Sequence, residues 1–216
     1  MNILITAGST QVNIDQVRVI SNIFRGTTGT RIADIASQAP FGHTVTLLTS
    51  GDASKLTSVR SIFYRTYDEL AEQMEREIRT HAYDAVIHSA AVSDYRVASI
   101  RTTDLLPLDA EVVGTKIGSN HERLFLELVP TEKLIDKIRS PWGFTGTLVK
   151  FKLQVGITDE ALIKIARHSM QASKANVIVA NCREWAKERA YILDARGTCV
   201  SVARAALAEE LLRRIS

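Results

Sequence analysis

The sequence is poor in the features that mark several classes of protein. Its 216 residues include only two cysteines, Cys182 and Cys199, which lack metal-ligand spacing and are too few for a disulfide framework. No apolar run approaches the ~18 residues that a membrane-spanning helix needs. The N-terminus has neither the charged region nor the cleavage site of a secretory leader. We therefore expect a cytoplasmic location and no membrane partner.

The charge balance argues against a nucleic-acid partner. There are 27 basic and 24 acidic residues, a net charge of +3, and no run of five or more basic residues that would form an electrostatic footprint. The balance leaves room for a patch that binds small anions. With 45% hydrophobic and 24% charged residues, the composition is that of a globular protein, and the length fits a single domain over residues 1–216.

Short apolar runs alternate with amphipathic segments along the chain, which indicates an α/β protein. The expected fold is a Rossmann-like three-layer αβα arrangement, with a mostly parallel sheet, helices on both faces and a mobile loop around 96–119. Thr158 is a predicted helix N-cap, and Ala195–Gly197 is a predicted hairpin turn. Strands are predicted at 2–6, 43–48, 59–64, 83–88, 124–129, 147–151 and 175–180, and helices at 28–39, 68–80, 132–139, 159–172 and 205–215.

Ligands of open parallel sheets bind at the carboxyl ends of the strands. Four polar stretches fall there in the predicted fold, and we expect them to converge. They are residues 7–30, 89–95, 114–118 and 150–154.

Two small-residue turns near the N-terminus offer backbone N–H groups to an anion. They are Gly8-Ser9-Thr10 and Gly26-Thr27-Thr28-Gly29, and the second opens a helix, whose dipole favours negative charge. Neither is a dinucleotide fingerprint or a P-loop. Arg18 and Arg25 favour phosphate, because guanidinium binds phosphate bidentately. Ordinary turn chemistry and solvated arginines are the alternative.

Four further side chains have both a functional and a structural interpretation. Asn22 either caps a turn or donates its amide to a developing oxyanion, and Asp94 either forms an Asx-turn or binds a ribose, a base or a metal. Lys116 is either solvated or carried onto a substrate by a mobile loop. His88 is more typical of a core histidine than of a ligand. The sequence shows no Ser/His/Asp order and no cluster of metal ligands.

Several motifs resemble those of the phosphopantothenate–cysteine ligase family in its stand-alone form. The family motif Ile-Asp-x-Val-Arg-x-Ile-Ser-Asn occurs at Ile14–Asn22, and Gly26 and Gly29 follow at the family spacing. Further matches cover most of the chain in the family order. They are Ala90–Tyr95, Lys116-Ile117, Leu124–Thr131, Val149–Leu153 and Ala175–Asn181.

The resemblance implies a ligase of coenzyme A biosynthesis. Such an enzyme joins 4′-phosphopantothenate to L-cysteine with CTP or ATP and Mg²⁺. The substrate carboxylate attacks the α-phosphate to give an acyl-nucleotide and pyrophosphate, and the cysteine amine then displaces the nucleoside monophosphate. The family is usually dimeric, so the resemblance also implies a homodimer, and the hairpin near 191–202 is a candidate for its interface.

The resemblance also assigns residues, which join those selected above. Ser9, Val12 and Ile23-Phe24-Arg25 depart from the family pattern, which has Gly, Glu and a small polar segment there. No protein metal ligand is expected. The catalytic candidates are Asn22, Lys116 and Arg18, the nucleotide-binding candidates are Gly8, Ser9, Thr10, Ala90, Asp94, Phe151 and Lys174, and the phosphate- or substrate-binding candidates are Gly26, Gly29 and Arg25.

Two other functions compete with the ligase. The departures around Asn22 favour a non-catalytic nucleotide-binding relative. The stretch Thr6–Thr10 and the Ala90-Ala91 turn suggest a nicotinamide-dependent reductase. That interpretation is weaker because the third glycine and a Tyr-x-x-x-Lys pair are missing.

Overall fold

The computed structural model describes residues 1–51, 56–102 and 116–216. Among these residues, no helix is both long enough and apolar enough to cross a membrane. The strands are β1 (Asn2–Ala7), β2 (Gln11–Asn13), β3 (Val19–Ser21), β4 (Thr44–Thr49), β5 (Arg60–Phe63), β6 (Ala85–His88), β7 (Tyr95–Thr102), β8 (Leu124–Pro130), β9 (Thr147–Gln154), β10 (Val177–Cys182), β11 (Arg189–Asp194) and β12 (Cys199–Ala203). The helices are α1 (Thr27–Ser37), α2 (Tyr67–Thr80), α3 (Leu134–Arg139), α4 (Asp159–Ala172) and α5 (Leu207–Ile215).

Eight strands form the central sheet in the order β12-β11-β10-β9-β6-β1-β4-β5. The six strands from β10 to β5 pair in parallel, and the hairpin β11–β12 adds two antiparallel pairings at one edge. The buried residues of β1, β6 and β10 form near-continuous apolar runs, because both faces of a parallel sheet are covered. The predicted hairpin and the mostly parallel sheet are confirmed.

Helices cover both faces of the sheet, which confirms the predicted three layers. One core cluster joins the sheet to α1 and α5, and a second joins the opposite face to α2, α3 and α4. Local chemistry fixes the helix starts: Thr66 and Glu69 form a capping box at α2, and Thr158 caps α4, as predicted.

Two small antiparallel sheets stand outside the central sheet, and one of them corrects a prediction. The pair β2–β3 lies within the polar stretch 7–30, and residues 96–102 of β7 fall in the loop predicted around 96–119. That loop prediction was wrong over residues 96–102, because β7 pairs with β8 and is mostly exposed, so no clear apolar period marks it. Residues 103–115 of the predicted mobile loop lie outside the described residues.

Candidate active site

The loops that follow β1 and β6 run side by side beyond the sheet. The Ala91 N–H donates to the Gly8 carbonyl at 2.8 Å, and the Thr10 N–H donates to the Ala91 carbonyl at 3.3 Å. The Ser93 N–H donates to Thr10 Oγ1 at 2.8 Å. Two of the four polar stretches therefore converge at the carboxyl edge, as the topology predicted.

The N-terminus of α1 approaches these loops because two glycines leave room for it. A Cβ on Gly26 would lie 2.4 Å from the Gly8 nitrogen, and one on Gly29 would lie 2.4 Å from Ser89 Oγ. Gly26 also has a positive φ of 80° and caps α1 without a side-chain hydrogen bond. The first-turn N–H groups of α1 are thus placed at the loops, where they suit an anion.

Asn22 is held at the same edge. Its Nδ2 donates to the Ala91 carbonyl at 3.2 Å, and the side chain is exposed. The neighbouring Ser21 hydroxyl lies 3.1 Å from the Ser9 hydroxyl. Asn22 is therefore brought together with the residue 8–10 loop and with Ala90–Asp94.

Arg18 is occupied by protein partners. Its guanidinium donates to the Asp15 carboxylate and to the Ile117 carbonyl. Asp15 Oδ2 accepts from the Ile117 N–H at 3.1 Å. Arg18 thus positions the segment that carries Lys116.

Asp15 is a site-building residue that the sequence analysis missed. Its side chain is completely buried, and burial alone would raise the pKa of the carboxyl. The N–H groups of Val17, Arg18 and Ile117, with the charge of Arg18, lower that pKa to about 2. An acceptor two residues before Val17 is the pattern of an Asx-turn, which is the signal available in the sequence.

The remaining candidates differ in how far they are engaged. Asp94 forms an exposed ion pair with Lys133, and exposed pairs of this kind contribute about 0–1 kcal/mol, so Asp94 is readily released to a ligand. Arg25 is exposed just before α1, and Lys116 is exposed beside the undescribed residues 103–115. Phe151 packs against the core cluster on the α1 face.

Asn181 is a second residue that the sequence analysis did not select. It is 7% exposed near the carboxyl end of β10, and its Oδ1 has no hydrogen-bond partner among the described residues. Side chains two apart on a strand share a face, so Asn181 points to the same side as Val179 of the α1-face cluster. A buried unpaired amide oxygen is costly, which favours a ligand donor there.

Lys174 is separated from the other candidates. It follows α4 and precedes β10, and its carbonyl accepts from Arg139, which also binds Asn176 at the amino end of β10. The structure places Lys174 at the amino edge of the sheet, opposite the loops that hold Asn22.

On the other face of the sheet, a polar row crosses the ends of the central strands. Thr6, His88 and Lys150 occupy one register, and Thr6 Oγ1 lies 2.9 Å from His88 Nδ1. Burial, with a smaller effect of the Lys150 charge, lowers the pKa of His88 to about 4, so the imidazole is neutral at pH 7. The interpretation of His88 as a core histidine is supported.

A divalent metal has no ready-made protein cage in the described part of the chain. No group of three or more His, Cys, Asp or Glu side chains gathers there. Mg²⁺ commonly keeps several waters and binds through substrate phosphates and one or two carboxylates. The exposed Asp94 carboxylate, at the end of the loop that follows β6, fits such a phosphate-borne metal.

The whole chain, residues 1–216, matches the family model of the DNA/pantothenate metabolism flavoprotein C-terminal domain. A Thermococcus kodakarensis protein named coenzyme A biosynthesis bifunctional protein CoaBC is 36% identical over 182 residues, which is 83% of this chain and 40% of that protein. The chain spans about 40% of the length of this relative and of its Methanocaldococcus jannaschii counterpart.

Solved structures agree with the family match. A DNA/pantothenate metabolism flavoprotein from Streptococcus pneumoniae superimposes with a TM-score of 0.85 at 27% identity, covering 100% of this chain and 98% of that one. A Cab2 mutant in complex with phosphopantothenate-cysteine shares the fold, with a TM-score of 0.72 at 15% identity over 99% of this chain and 84% of that one. The chain therefore belongs to the family of the DNA/pantothenate metabolism flavoprotein C-terminal domain.

Proposed function

We propose that the chain is a ligase of coenzyme A biosynthesis that joins 4′-phosphopantothenate to L-cysteine. CTP or ATP activates the phosphopantothenate carboxylate as an acyl-nucleotide, with release of pyrophosphate. The cysteine nitrogen then forms an amide with the acyl carbon, and the nucleoside monophosphate leaves with the electron pair of the broken bond. A relative named for coenzyme A biosynthesis and a structural neighbour in complex with phosphopantothenate-cysteine support this proposal.

The observation that carries the proposal is the position of the Asn22 amide. It lies at the carboxyl edge, joined to Ala91 and close to the loop that packs against the α1 N-terminus. The helix N-terminus suits the phosphates, and an amide donor suits the oxygen that gains negative charge when the acyl group forms and reacts.

Other residues serve this chemistry by binding and positioning. Gly8, Gly26 and Gly29 let the β1 loop and the N-terminus of α1 approach closely. Ser9 and Thr10 hold that loop, because their N–H groups donate to Ser50 Oγ and to the Ala91 carbonyl. Asp15 and Arg18 hold the segment bearing Lys116 through Ile117. In this proposal the Lys116 cation meets charge on the acyl-nucleotide. When bound, Mg²⁺ neutralises charge on the departing pyrophosphate.

In this proposal the nucleotide binds beside Asn181, Phe151 and Asp94. Arg25 is an exposed cation at the border of the same site. Lys174 is left out because it lies at the opposite edge. The proposal includes a cytoplasmic location, where nucleotide substrates are abundant, and a homodimer, whose interface is considered in the Discussion.

The test is pyrophosphate release from CTP and ATP in the presence and absence of 4′-phosphopantothenate. We expect release that depends on phosphopantothenate, and a loss of about 100-fold in Asn22→Asp, which replaces a donor with a carboxylate. Asn13→Asp is the matched control, since Asn13 is exposed on β2, and it should retain activity. The absence of turnover with either nucleotide in the wild type would refute the ligase.

A non-catalytic nucleotide-binding relative is the second candidate, because Ile23 and Phe24 stand beside Asn22. Their side chains are 69% and 43% exposed, so they point largely to solvent and leave Asn22 accessible. This geometry favours the ligase. Nucleotide binding without turnover would favour the alternative, and a thermal shift with NADPH would support the reductase.

A further inference from the structure

A cavity of about 160 Å³, the α1–α5 pocket, lies between the N-termini of α1 and α5. The first two residues of each helix line it, Thr27 and Thr28 of α1 and Leu207 and Ala208 of α5. Neither helix has a side-chain hydrogen bond at its N-cap. The uncapped N–H groups and the positive ends of two helix dipoles therefore lie at one small pocket, where they favour negative charge.

The pocket lies at the carboxyl edge of the sheet, beside the proposed active site. Strands β10, β11 and β12 follow one another in antiparallel pairs, so β12 runs in the same direction as β10 and leads into α5 at that edge. On the other side, α1 follows Gly26, which packs against Gly8 of the β1 loop. The N-terminus of α1 thus borders both the β1 loop and the α1–α5 pocket.

Of the described residues that line the pocket, only two arginines are charged. The Arg31 guanidinium donates to the Ala205 carbonyl at 2.9 Å, and the Arg204 guanidinium donates to the Thr28 hydroxyl. Burial, with a smaller effect of the Arg31 charge, lowers the pKa of Arg204. The two cations are therefore close enough to repel each other, and both keep their charge at neutral pH.

No carboxylate in the described part of the chain forms an ion pair with either arginine. On α1, Asp34 accepts a hydrogen bond from Gln38, and both glutamates in the first turn of α5 pair with arginines one turn later. Each guanidinium has five N–H donors, and an anion between two like charges removes their repulsion. The pocket therefore favours an anionic ligand.

The size and the donors of the pocket indicate phosphate groups without a nucleoside. Pockets for drug-sized ligands measure about 300–1,000 Å³, and this one is well below that range. Guanidinium groups bind phosphate bidentately, and helix N-termini bind it through their N–H groups. An anion of two linked phosphoryl groups has enough oxygens to meet both arginines and the N–H groups of the first turns.

We propose that the α1–α5 pocket binds the β- and γ-phosphates of the nucleoside triphosphate through Arg31 and Arg204, and then the pyrophosphate that they become. This inference rests on the proposed function and adds a subsite for the leaving group. When the carboxylate oxygen bonds to the α-phosphorus, the bond from that phosphorus to the bridging oxygen breaks, and its electron pair goes to pyrophosphate. The two guanidinium groups neutralise the charge that pyrophosphate gains.

The test is calorimetric titration of wild type and Arg31→Gln with inorganic pyrophosphate in the presence of Mg²⁺. We expect the Kd to rise about tenfold or more, since a charge-assisted hydrogen bond is lost. The Kd of 4′-phosphopantothenate, whose phosphate binds elsewhere in this proposal, should change less than twofold. Arg76→Gln removes the same charge from the exposed surface of α2, on the opposite face of the sheet, and should bind pyrophosphate as wild type does.

Arg204→Lys is the second variant. It keeps the positive charge of Arg204 but loses the planar fork that meets two phosphate oxygens at once. We expect the pyrophosphate Kd to rise severalfold and KM for the triphosphate to rise with it. Thermal melts of the same samples show whether the variant is folded, because Arg204 also contacts Thr28.

Pyrophosphate that binds wild type and Arg31→Gln equally, or that does not bind wild type, would overturn the pocket. A loss as large for 4′-phosphopantothenate as for pyrophosphate would also overturn it, because the effect would not be specific to a diphosphate. The titration needs no turnover, so the two proposals fail separately. A wild type that binds pyrophosphate through Arg31 but releases none from CTP or ATP refutes the ligase alone. An active ligase whose pyrophosphate affinity is unchanged in Arg31→Gln refutes the pocket alone.

Discussion

At the scale of single residues, Asp15 links two distant parts of the candidate site. Its carboxylate accepts hydrogen bonds from Val17, Arg18 and Ile117, and the last of these lies 102 positions away in sequence. The same contact fixes Arg18, whose guanidinium then reaches the Ile117 carbonyl. The buried Asp15 carboxylate therefore sets the position of Arg18, a catalytic candidate, and of Ile117, which follows Lys116.

Asp15→Asn is expected to alter both stability and turnover. The pKa of Asp15 is about 2 in the folded protein and 3.8 as the ordinary value, so its contribution to stability is present above pH 3.8 and is lost as the pH falls toward 2. In Asp15→Asn the decrease in melting temperature between pH 5 and pH 3 should be smaller than in wild type. Turnover with L-cysteine should fall about tenfold, because Lys116 is no longer positioned.

Thermal melts across that pH range, with Glu72→Gln as an exposed control on α2, check the prediction. If Asp15→Asn and wild type lose the same number of degrees between pH 5 and pH 3, the carboxylate does not have the depressed pKa. If turnover is unchanged, the link to Lys116 has no catalytic role.

At the scale of elements, the site depends on how closely α1 packs against the β1 loop. Gly26 and Gly42 both have positive φ, but a Cβ on Gly26 would meet the Gly8 nitrogen at 2.4 Å, whereas one on Gly42 would meet nothing within 4 Å. Comparing alanine substitutions at these two glycines therefore distinguishes the cost of backbone strain from the cost of a packing clash.

Gly26→Ala and Gly42→Ala should each lower the free energy of unfolding by about 1 kcal/mol, because alanine is strained in the left-handed backbone conformation. Gly26→Ala should lose about 1–3 kcal/mol more, since backbone atoms must move apart. Denaturant unfolding of both variants measures the difference, and nucleotide affinity should fall only in Gly26→Ala. Equal stability losses would show that α1 is free to shift.

The strands and helices differ in how well the sequence predicts them. Buried strands such as β6 and amphipathic helices such as α4 were predictable, because their apolar periods reflect burial directly. Strand β7 was not, since its partner β8 and its exposure are set by contacts distant in sequence. For the same reason the motif identified Asn22, while the engagement of Arg18 by Asp15 and the separation of Lys174 required the fold.

At the scale of the whole molecule, exposed apolar side chains are concentrated on the two small sheets. Val19 and Ile20 lie on β3, and Tyr95, Phe125 and Leu128 lie on β7 and β8. Strands β2 and β7 are in contact, so the two sheets are adjacent. This surface is a better candidate for the homodimer interface than the hairpin β11–β12.

The prediction is a native mass of about twice the 23.9 kDa chain, measured by light scattering. Leu128→Asp should shift the mass toward the monomer, because a charge would be buried in the interface. Val155→Asp alters an apolar side chain that is more exposed than Leu128 and follows β9 of the central sheet, and it should leave the mass unchanged. A wild-type monomer would refute the homodimer.

The order of strands in the sheet has a consequence for synthesis on the ribosome. The first strand, β1, ends up between β4 and β6, so its β4 edge is covered early while its other edge waits for residues 85–88. Because chains emerge at about 5–20 residues per second, that edge stays open for several seconds. Loops 8–10 and 89–93 meet only when β6 docks, and Asp15 waits longer for Ile117. The nascent chain thus pairs β1 with β4 before the contacts that build the candidate site can form.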